Sequence, residues 1–394
     1  MKLGIYLMGM AIFALPMHAG EGLRKEQSKI KGLLIVTLPN DDFAGTASQM
    51  NCTATEADRD SEVKVTMNQK VGESMGKALN EVQKYLKLRH SDWPRGYDIE
   101  IAFGDKYVPK DGPSAAVASA LLIDSLITGS EIRSTFAVTG DMNADGSVLP
   151  IGGVSAKIRG AIRKRCDVVA VPQANIKSVS DMVLLEGRSN LYKTQLFSID
   201  TFDDAFNVSR AVPDAEMAEA MMEFDLVADV LSNKGEKYLG NAKVHEKLEH
   251  VLALAPNHLS AKMLLDIGQR RGPKQLSLEG SIQAIRNSTG IVMSVVERGR
   301  IKNLADNLVG DKLGDAITEA RGLQKLIDKR TEGYLKAVMR LAENLRDYQQ
   351  NPPRSTTVHN RKVSAINASL DVVNDEYERL MSSSSIMEEL MFEE

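Results

Sequence analysis

The sequence changes character at Pro213, and this change constrains the fold more than any other feature. From residue 31 to about 209, strand-like runs such as 32–38, 97–103 and 168–171 alternate with helix-like runs. From Pro213 onward, one helical pattern follows another. Strands that alternate with helices are typical of α/β and α+β domains. We therefore predict an α+β domain at residues 31–209, followed by an all-α region.

Length and composition agree with this division and exclude several classes of protein. The 394 residues correspond to two or three domains, and 43% hydrophobic residues exclude wholesale disorder. A net charge of −4 gives no overall attraction to nucleic acid, which is not an expected partner. Cys52 and Cys166 alone are too few for a disulfide framework or a four-ligand zinc site, although an exported chain would allow them to oxidise.

The first twenty residues have the layout of a secretory signal. Lys2 precedes an apolar run at residues 3–15, Pro16 ends the run, and the small pair Ala19-Gly20 follows. The run is shorter than the roughly 20 residues that span a bilayer as a helix. We predict a signal peptide at residues 1–19 and an exported protein, periplasmic or secreted. The alternatives are an uncleaved membrane anchor or a buried N-terminal helix.

The all-α region divides into two parts. In residues 213–275, a break near Pro256 separates two apolar helices, which resembles one tetratricopeptide-type hairpin or an ordinary helical pair. In residues 276–394, two narrow apolar seams flank Pro352-Pro353 and predict an antiparallel helical hairpin, followed by an acidic tail. Packing, oligomerisation or contact with a protein partner are its expected roles.

A serine and a lysine in residues 108–157 are candidates for catalysis. Ser114 lies just before an apolar helix predicted at 115–127, where a serine usually caps the helix. The same position offers free N–H groups that can stabilise an oxyanion when a hydroxyl attacks a carbonyl. The serine would need a base, and no histidine lies between residues 91 and 244. Lys157, on a helix that follows Gly152-Gly153, is the other option.

A lysine acts as a base only when its amine is neutral. The pKa of Lys157 would have to fall by roughly 3 units from its reference value of about 10.4, at a cost on the order of 4 kcal/mol from burial. Its apolar and small neighbours are compatible with such burial. A solvated helix lysine is the alternative when Lys157 is considered without this context.

This segment resembles the proteolytic domain of the Lon protease family. The resemblance rests on P-K-D-G-P-S-A-A at Pro109–Ala116, T-G-D at Thr139–Asp141 and V-L-P-I-G-G-V-S-A-K at Val148–Lys157. It continues weakly across residues 31–209. By this resemblance Ser114 is the nucleophile and Lys157 the general base, while Thr139 orients the lysine. Asp111 and Asp141 lie beside the site.

The sequence departs from the family pattern at several positions. Ala116 stands where the family has glycine, Asp141 replaces a glutamate, and Ser155-Ala156 replaces a charged pair. No G-x-x-x-x-G-K-[ST] phosphate loop occurs, since Gly72–Lys77 is one residue short. The prediction is therefore an exported, ATP-independent serine endopeptidase without cofactor or metal. The resemblance implies unfolded proteins or peptides as substrates and a homo-oligomer, a hexamer in this family.

Two weaker motifs and one rival function complete the predictions. Asp141–Gly146 begins like a calcium loop but lacks its closing glutamate, so we interpret Asn143–Gly146 as a turn. His245 and His250 are five residues apart and do not share a helix face as zinc ligands would. The rival function is a catalytically impaired Lon-like scaffold that binds partners through its C-terminal helices.

Overall fold

The computed structural model describes residues 22–37, 43–104, 112–297 and 311–383. The predicted signal peptide, Asp111 and the acidic tail lie outside the described residues. Within these ranges an α+β part precedes an all-α part, which confirms the predicted fold class.

A mixed sheet of seven strands forms the centre of the α+β part. The described strands of this part, including two outside the large sheet, are β1 (Gln27–Thr37), β2 (Phe43–Glu56), β3 (Lys64–Met67), β4 (Tyr97–Phe103), β5 (Phe136–Val138), β6 (Asp141–Met142), β7 (Val148–Leu149), β8 (Val168–Pro172) and β9 (Gln195–Ile199). The order in the sheet is β3-β4-β2-β1-β5-β8-β9, with β6 and β7 forming a separate ribbon. Strand β2 is antiparallel to both β1 and β4, whereas the other neighbours in the large sheet are parallel.

Six helices accompany these strands. They are α1 (Glu73–Arg89), α2 (Ala116–Thr128), α3 (Val154–Arg163), α4 (Ile176–Glu186), α5 (Asn190–Lys193) and α6 (Phe202–Ser209). Helix α1 buries one face, as its helical spacing predicts, at Met75, Leu79, Val82 and Leu86. Helix α2 is buried on nearly every side, because it is apolar throughout.

Three more helices extend the same hydrophobic core. They are α7 (Ala215–Lys234), α8 (Ala242–Leu254) and α9 (Leu259–Gly268). One apolar cluster includes buried residues from Ile30 in β1 to Leu265 in α9, so these helices complete the sheet domain. His258 is fully buried between the rings of Phe197 and Phe224, and burial lowers its pKa to about 3. Its neutral imidazole accepts a hydrogen bond from the Ala261 N–H and so caps α9.

The last four helices form a second core. They are α10 (Leu278–Glu297), α11 (Lys312–Leu323), α12 (Glu332–Gln350) and α13 (Thr356–Ser382). Helices α12 and α13 lie side by side and turn at Asn351–Arg354, which confirms the predicted hairpin. Their seam buries Val338, Leu345 and Ile366, among others.

A polar contact joins the two cores. The Asp181 carboxylate of α4 is buried and accepts hydrogen bonds from the Ser277 N–H (2.8 Å) and the Ser277 hydroxyl (2.6 Å). Ser277 precedes α10, and Gly280 in the first turn of α10 lies so close that a Cβ would overlap Asp181. A carboxylate from one core therefore binds at the N-terminus of a helix in the other, where the helix dipole favours negative charge.

The state of the two cysteines and the apolar character of the helices complete the description of the fold. Cys52 and Cys166 are buried and unbonded, and burial raises the pKa of both thiols, that of Cys52 to about 12. No helix of the described residues is both long enough and apolar enough to cross a bilayer.

Candidate active site

Ser114 lies in a short turn, Pro113–Ala115, immediately before α2. The sequence left two roles open for this serine, a helix cap or a nucleophile. The N-cap residue of α2 is Ala115, and no side chain caps either the turn or α2. Ser114 is half-buried, and its hydroxyl caps neither the turn nor α2.

Lys157 lies in the first turn of α3. Gly153 begins this helix with a φ of +71°, a left-handed conformation that glycine adopts without strain, and its carbonyl accepts the Lys157 N–H at 3.0 Å. The Lys157 side chain is only 3% exposed, and burial lowers its pKa to about 8. The predicted burial and the predicted direction of the pKa shift are both present, because the small and apolar neighbours exclude water from the amine.

Thr139 connects Lys157 to the serine segment. The Lys157 Nζ donates a hydrogen bond to Thr139 Oγ1 at 3.2 Å, and Thr139 Oγ1 donates to the Ser114 carbonyl at 3.2 Å. The Gly140 N–H donates to the same carbonyl at 3.0 Å. Since Thr139 is fully buried, its hydroxyl is held in this orientation and presents a lone pair to the lysine. The three residues predicted to act together are therefore brought together by the end of β5.

Helix α3 lies directly against the start of β2. A Cβ on Gly45 would overlap the Ala156 carbonyl, and a Cβ on Gly160 would lie 2.5 Å from the Gly45 carbonyl carbon. Arg163 also donates a hydrogen bond to the Gly45 carbonyl at 2.6 Å. This close approach of two backbones fixes the distance of α3, and so of Lys157, from the sheet. Neither Gly45 nor Gly160 was predicted as a site residue, because the role of each depends on the approach of two segments that are far apart in the chain.

The two predicted acidic neighbours have different outcomes. Asp111 lies outside the described residues. Asp141 is half-buried in β6, where one carboxylate oxygen accepts the Met142 N–H at 2.8 Å. Burial is the main cause that raises its pKa, and the nearby Glu81 adds to the effect. Within the described residues, burial is the cause that lowers the pKa of Lys157, and the charge of Asp141 does not contribute to this shift.

The backbone near Ser114 limits where an oxyanion can bind. The Ala116 N–H donates to Pro113, and the Val117 N–H donates to Gly140 at 3.2 Å. Both donors are therefore occupied, so an oxyanion has to use other N–H groups. The Ala116 methyl, which replaces the family's glycine, is fully buried and adds its bulk to the core.

The weaker motifs have structural roles. Asn143–Gly146 forms the predicted turn between β6 and β7, closed by a hydrogen bond from the Gly146 N–H to the Asn143 carbonyl at 3.0 Å. His245 contacts the Leu239 carbonyl, and His250 contacts Glu219. Within the described ranges, no group of three or more His, Cys, Asp or Glu residues could hold a metal ion.

A cleft of about 1370 Å³ lies on the outer face of α3. Ser155, Ala156 and Arg159 line one wall, on the side of the helix that faces away from Lys157. Helices α10, α12 and α13 supply the opposite wall, which includes Tyr334 and Tyr377. The C-terminal helices therefore stand next to the helix that carries the candidate base.

A family model matches the part of the chain that carries these residues. Residues 26–205 match the family described as the Lon protease (S16) C-terminal proteolytic domain. The matched segment contains Ser114, Thr139 and Lys157, and it ends before α7.

Similar proteins include two bacterial Lon proteases and one archaeal relative. Lon protease 1 of Syntrophobacter fumaroxidans is 30% identical over 157 residues, which are 38% of this chain and 19% of that protein. Lon protease of Geobacter metallireducens is 33% identical over 139 residues, 35% of this chain and 16% of that protein. The Archaeal Lon protease of Thermococcus kodakarensis is 27% identical over 184 residues, 47% of this chain and 28% of that protein. The chain thus spans less than a third of the length of each of these relatives.

Proposed function

We propose that this chain, whose residues 26–205 are a Lon-type proteolytic domain, is a serine endopeptidase that cuts unfolded proteins and peptides without ATP. One observation carries the proposal. The buried amine of Lys157 donates a hydrogen bond to the Thr139 hydroxyl, and this hydroxyl donates a hydrogen bond to the Ser114 carbonyl. Burying a charged lysine destabilises a fold, so burial does not serve a structural lysine. A lysine that acts as a base benefits from burial, because burial lowers its pKa and favours the neutral amine.

In the proposed reaction, the neutral Lys157 amine takes the proton from the Ser114 hydroxyl. The serine oxygen attacks the carbonyl carbon of the peptide bond and forms a tetrahedral intermediate. The C–N bond then breaks, and the Lys157 ammonium gives its proton to the leaving amine. The products of this half-reaction are a free amine and an ester between the substrate and Ser114.

Water completes the cycle. Lys157 takes a proton from a water molecule, which attacks the ester carbonyl carbon. The C–O bond to Ser114 then breaks, Lys157 gives its proton to the Ser114 oxygen, and the released carboxylic acid loses its proton to the solvent. Throughout both halves, Thr139 accepts a hydrogen bond from Lys157 and keeps the amine aimed at the same place. The lysine returns to its neutral form, so one side chain serves as base and acid in turn.

The ATP requirement can be tested together with the catalytic residues. Purified protein is incubated with unfolded casein, with and without ATP, beside Ser114→Ala and Lys157→Ala. We expect cleavage by the wild type at the same rate with or without ATP, and no cleavage by either variant. Cleavage by all three proteins would assign the activity to a contaminant, whereas cleavage that requires ATP would contradict the ATP-independent mechanism.

We also propose that the protein is exported, on the basis of the charged, apolar and small-residue pattern in residues 1–20. Expression in a bacterial host followed by fractionation and N-terminal sequencing is the test. A mature chain that begins near Gly20 in the exported fraction is expected. A chain that retains Met1 in the cytoplasm would contradict export.

Assembly into a homo-oligomer is a further part of the proposal, with a hexamer suggested by the resemblance. Sedimentation of the purified protein distinguishes a 43.1 kDa monomer from larger species. A monomer that is fully active would contradict this part alone.

The cleft beside α3 favours a second candidate function, in which the C-terminal helices bind a protein partner. The casein experiment separates the two functions, since a scaffold would show no cleavage that depends on Ser114. The presence of both Ser114 and Lys157 argues for the enzyme, because a scaffold needs neither.

A further inference from the structure

Asn175 is a buried polar residue that the mechanism above does not use. It ends a short turn, Gln173–Asn175, between β8 and α4, and it is only 1% exposed. As the N-cap residue of α4, it stands where an asparagine usually accepts a hydrogen bond from its own helix. No side-chain cap bond forms at α4. The amide of Asn175 is therefore committed elsewhere.

The oxygen and the nitrogen of the Asn175 side-chain amide each form a hydrogen bond with the backbone of Ile151. The Ile151 N–H donates to Asn175 Oδ1 at 2.9 Å, and Asn175 Nδ2 donates to the Ile151 carbonyl at 3.0 Å. Ile151 is itself buried, at 4% exposure. Asn175 thus pairs both backbone groups of Ile151, as a neighbouring strand would. Neither group could be left unpaired at this depth without losing the free energy of a buried hydrogen bond.

The paired residue leads directly into the helix of the candidate base. Gly153, two residues after Ile151, begins α3, and its carbonyl accepts the Lys157 N–H that closes the first helical turn. The middle of α3 is held separately, by the contact of Gly160 with Gly45. The first turn of α3 also contacts Gly45 through Ala156 and bonds to the Ser178 carbonyl through the Ser155 hydroxyl. The Asn175 pair fixes the loop that leads into this turn.

We infer that Asn175 is a positioning residue that holds the amine of Lys157 in place for proton transfer from Ser114. The inference rests on the proposed function, because it assigns Lys157 the role of base. Asn175 acts through Ile151 and Gly153, so it touches neither the substrate nor the reacting atoms. A shift of about 1 Å in the position of such a group can cost about a hundredfold in rate.

Charged groups on neighbouring elements do not account for the state of Lys157. Arg159 of α3 pairs with Glu186 of α4, Asp181 of α4 bonds to Ser277, and Arg163 bonds to the Gly45 carbonyl. Within the described part of the chain, burial is the cause that lowers the pKa of Lys157. A loosened loop that admits water would therefore raise this pKa toward 10.5.

The test compares Asn175→Ala and Asn175→Ser with the wild type. The serine variant keeps a polar group, but its side chain is one bond shorter and cannot pair both backbone groups of Ile151. It serves as the test if the alanine variant does not fold. Asn257→Ala is the matched control, because its amide also donates to a backbone carbonyl of the same core, that of Ser198 at 3.2 Å. Kinetic constants for a peptide substrate are measured across pH. The pKa of Lys157 is measured by NMR of isotope-labelled lysine amines, assigned with Lys157→Arg.

We expect the Asn175 variants to lower kcat by about tenfold to a hundredfold, with KM changed less than about threefold. The pKa of Lys157 should rise above its wild-type value in the same variants, and both effects should be absent in Asn257→Ala. Folded Asn175 variants with wild-type kcat and an unchanged Lys157 pKa would overturn the inference. So would a loss of activity that only follows the folded fraction and matches the control.

The two readouts separate this inference from the proposed function. If the wild type cleaves no substrate but the Asn175 variants raise the Lys157 pKa, the proposed function fails and the positioning of the amine stands. If the wild type cleaves and the variants change neither readout, the function stands and Asn175 has only a structural role.

Discussion

At the scale of single residues, the central feature is an amine that the fold keeps almost free of water. An unfolded chain holds Lys157 charged up to a pKa of about 10.5, whereas the folded protein lowers this pKa to about 8. Between these values the unfolded state binds more protons than the folded state, so stability rises with pH across this window. Below about pH 8 the folded protein bears the whole cost of burying the charge.

We predict that Lys157→Met stabilises the protein at pH 7 while it abolishes activity. Each pKa unit corresponds to about 1.4 kcal/mol, so the buried charge costs on the order of 3 kcal/mol, less the lost hydrogen bond to Thr139. Calorimetry at pH 7 and pH 10 is the measurement. The difference in the free energy of unfolding between variant and wild type should be smaller at pH 10 than at pH 7. A variant less stable than the wild type at pH 7 would show that burial of the charged amine does not destabilise the protein.

Thr139 allows a separate test of orientation. Thr139→Val keeps the shape and the burial but removes the hydroxyl that accepts from Lys157, while the Ser114 carbonyl keeps its bond from the Gly140 N–H. We expect kcat to fall about tenfold or more with KM nearly unchanged, since a hydrogen bond to a charged group is worth about 1.5–3 kcal/mol. Thr139→Ser retains the hydroxyl and should retain most of the activity. Equal rates for Thr139→Val and Thr139→Ser would show that catalysis does not need the Thr139 hydroxyl.

At the scale of elements, periodicity predicted those elements whose apolar residues keep a regular spacing along the chain. The strand 97–103, the helix now assigned as α1 and the hairpin of α12 and α13 follow directly from their apolar spacing. Strand β2 was not predicted, because its alternation is interrupted by small and polar residues and its identity depends on pairing with β1 and β4. Ser114, Thr139 and Lys157 were identifiable from motifs. Asn175 was not, because its role depends on a contact with a residue 24 positions away.

The contact of α3 with β2 gives a prediction at this scale. Gly160→Ala places a methyl 2.5 Å from the backbone of Gly45, so either the helix or the strand has to move. We expect a loss of about 1–3 kcal/mol in stability and a fall in kcat/KM as Lys157 shifts. Gly76→Ala in α1 is the control, because its methyl would meet no atom within 4 Å and alanine favours a helix. If both variants behave alike in denaturant titrations and in kinetics, the close approach does not position α3.

At the scale of the whole molecule, the two hydrophobic cores are joined by the Asp181 carboxylate at the start of α10. Gly280→Ala would push a methyl into this carboxylate, whereas Gly290→Ala on the same helix would enter open space. We predict that Gly280→Ala separates the unfolding of the two cores into distinct calorimetric transitions and increases proteolytic cleavage between α9 and α10. Gly290→Ala should leave both unchanged. A single unaltered transition in Gly280→Ala would show that the cores are held together elsewhere.

The most direct test of the Ser114–Lys157 mechanism is to identify the residue that is acylated during turnover. An activated peptide ester is mixed with the wild type, Ser114→Ala and Lys157→Ala over a range of pH, and the quenched proteins are mapped by mass spectrometry. We predict one acyl group on Ser114 of the wild type, formed at a rate that rises with pH through about 8 as the Lys157 amine loses its proton. Lys157→Ala should be acylated slowly and without this inflection. An acyl group on another residue, or equal acylation of Ser114 in the absence of Lys157, would contradict the account.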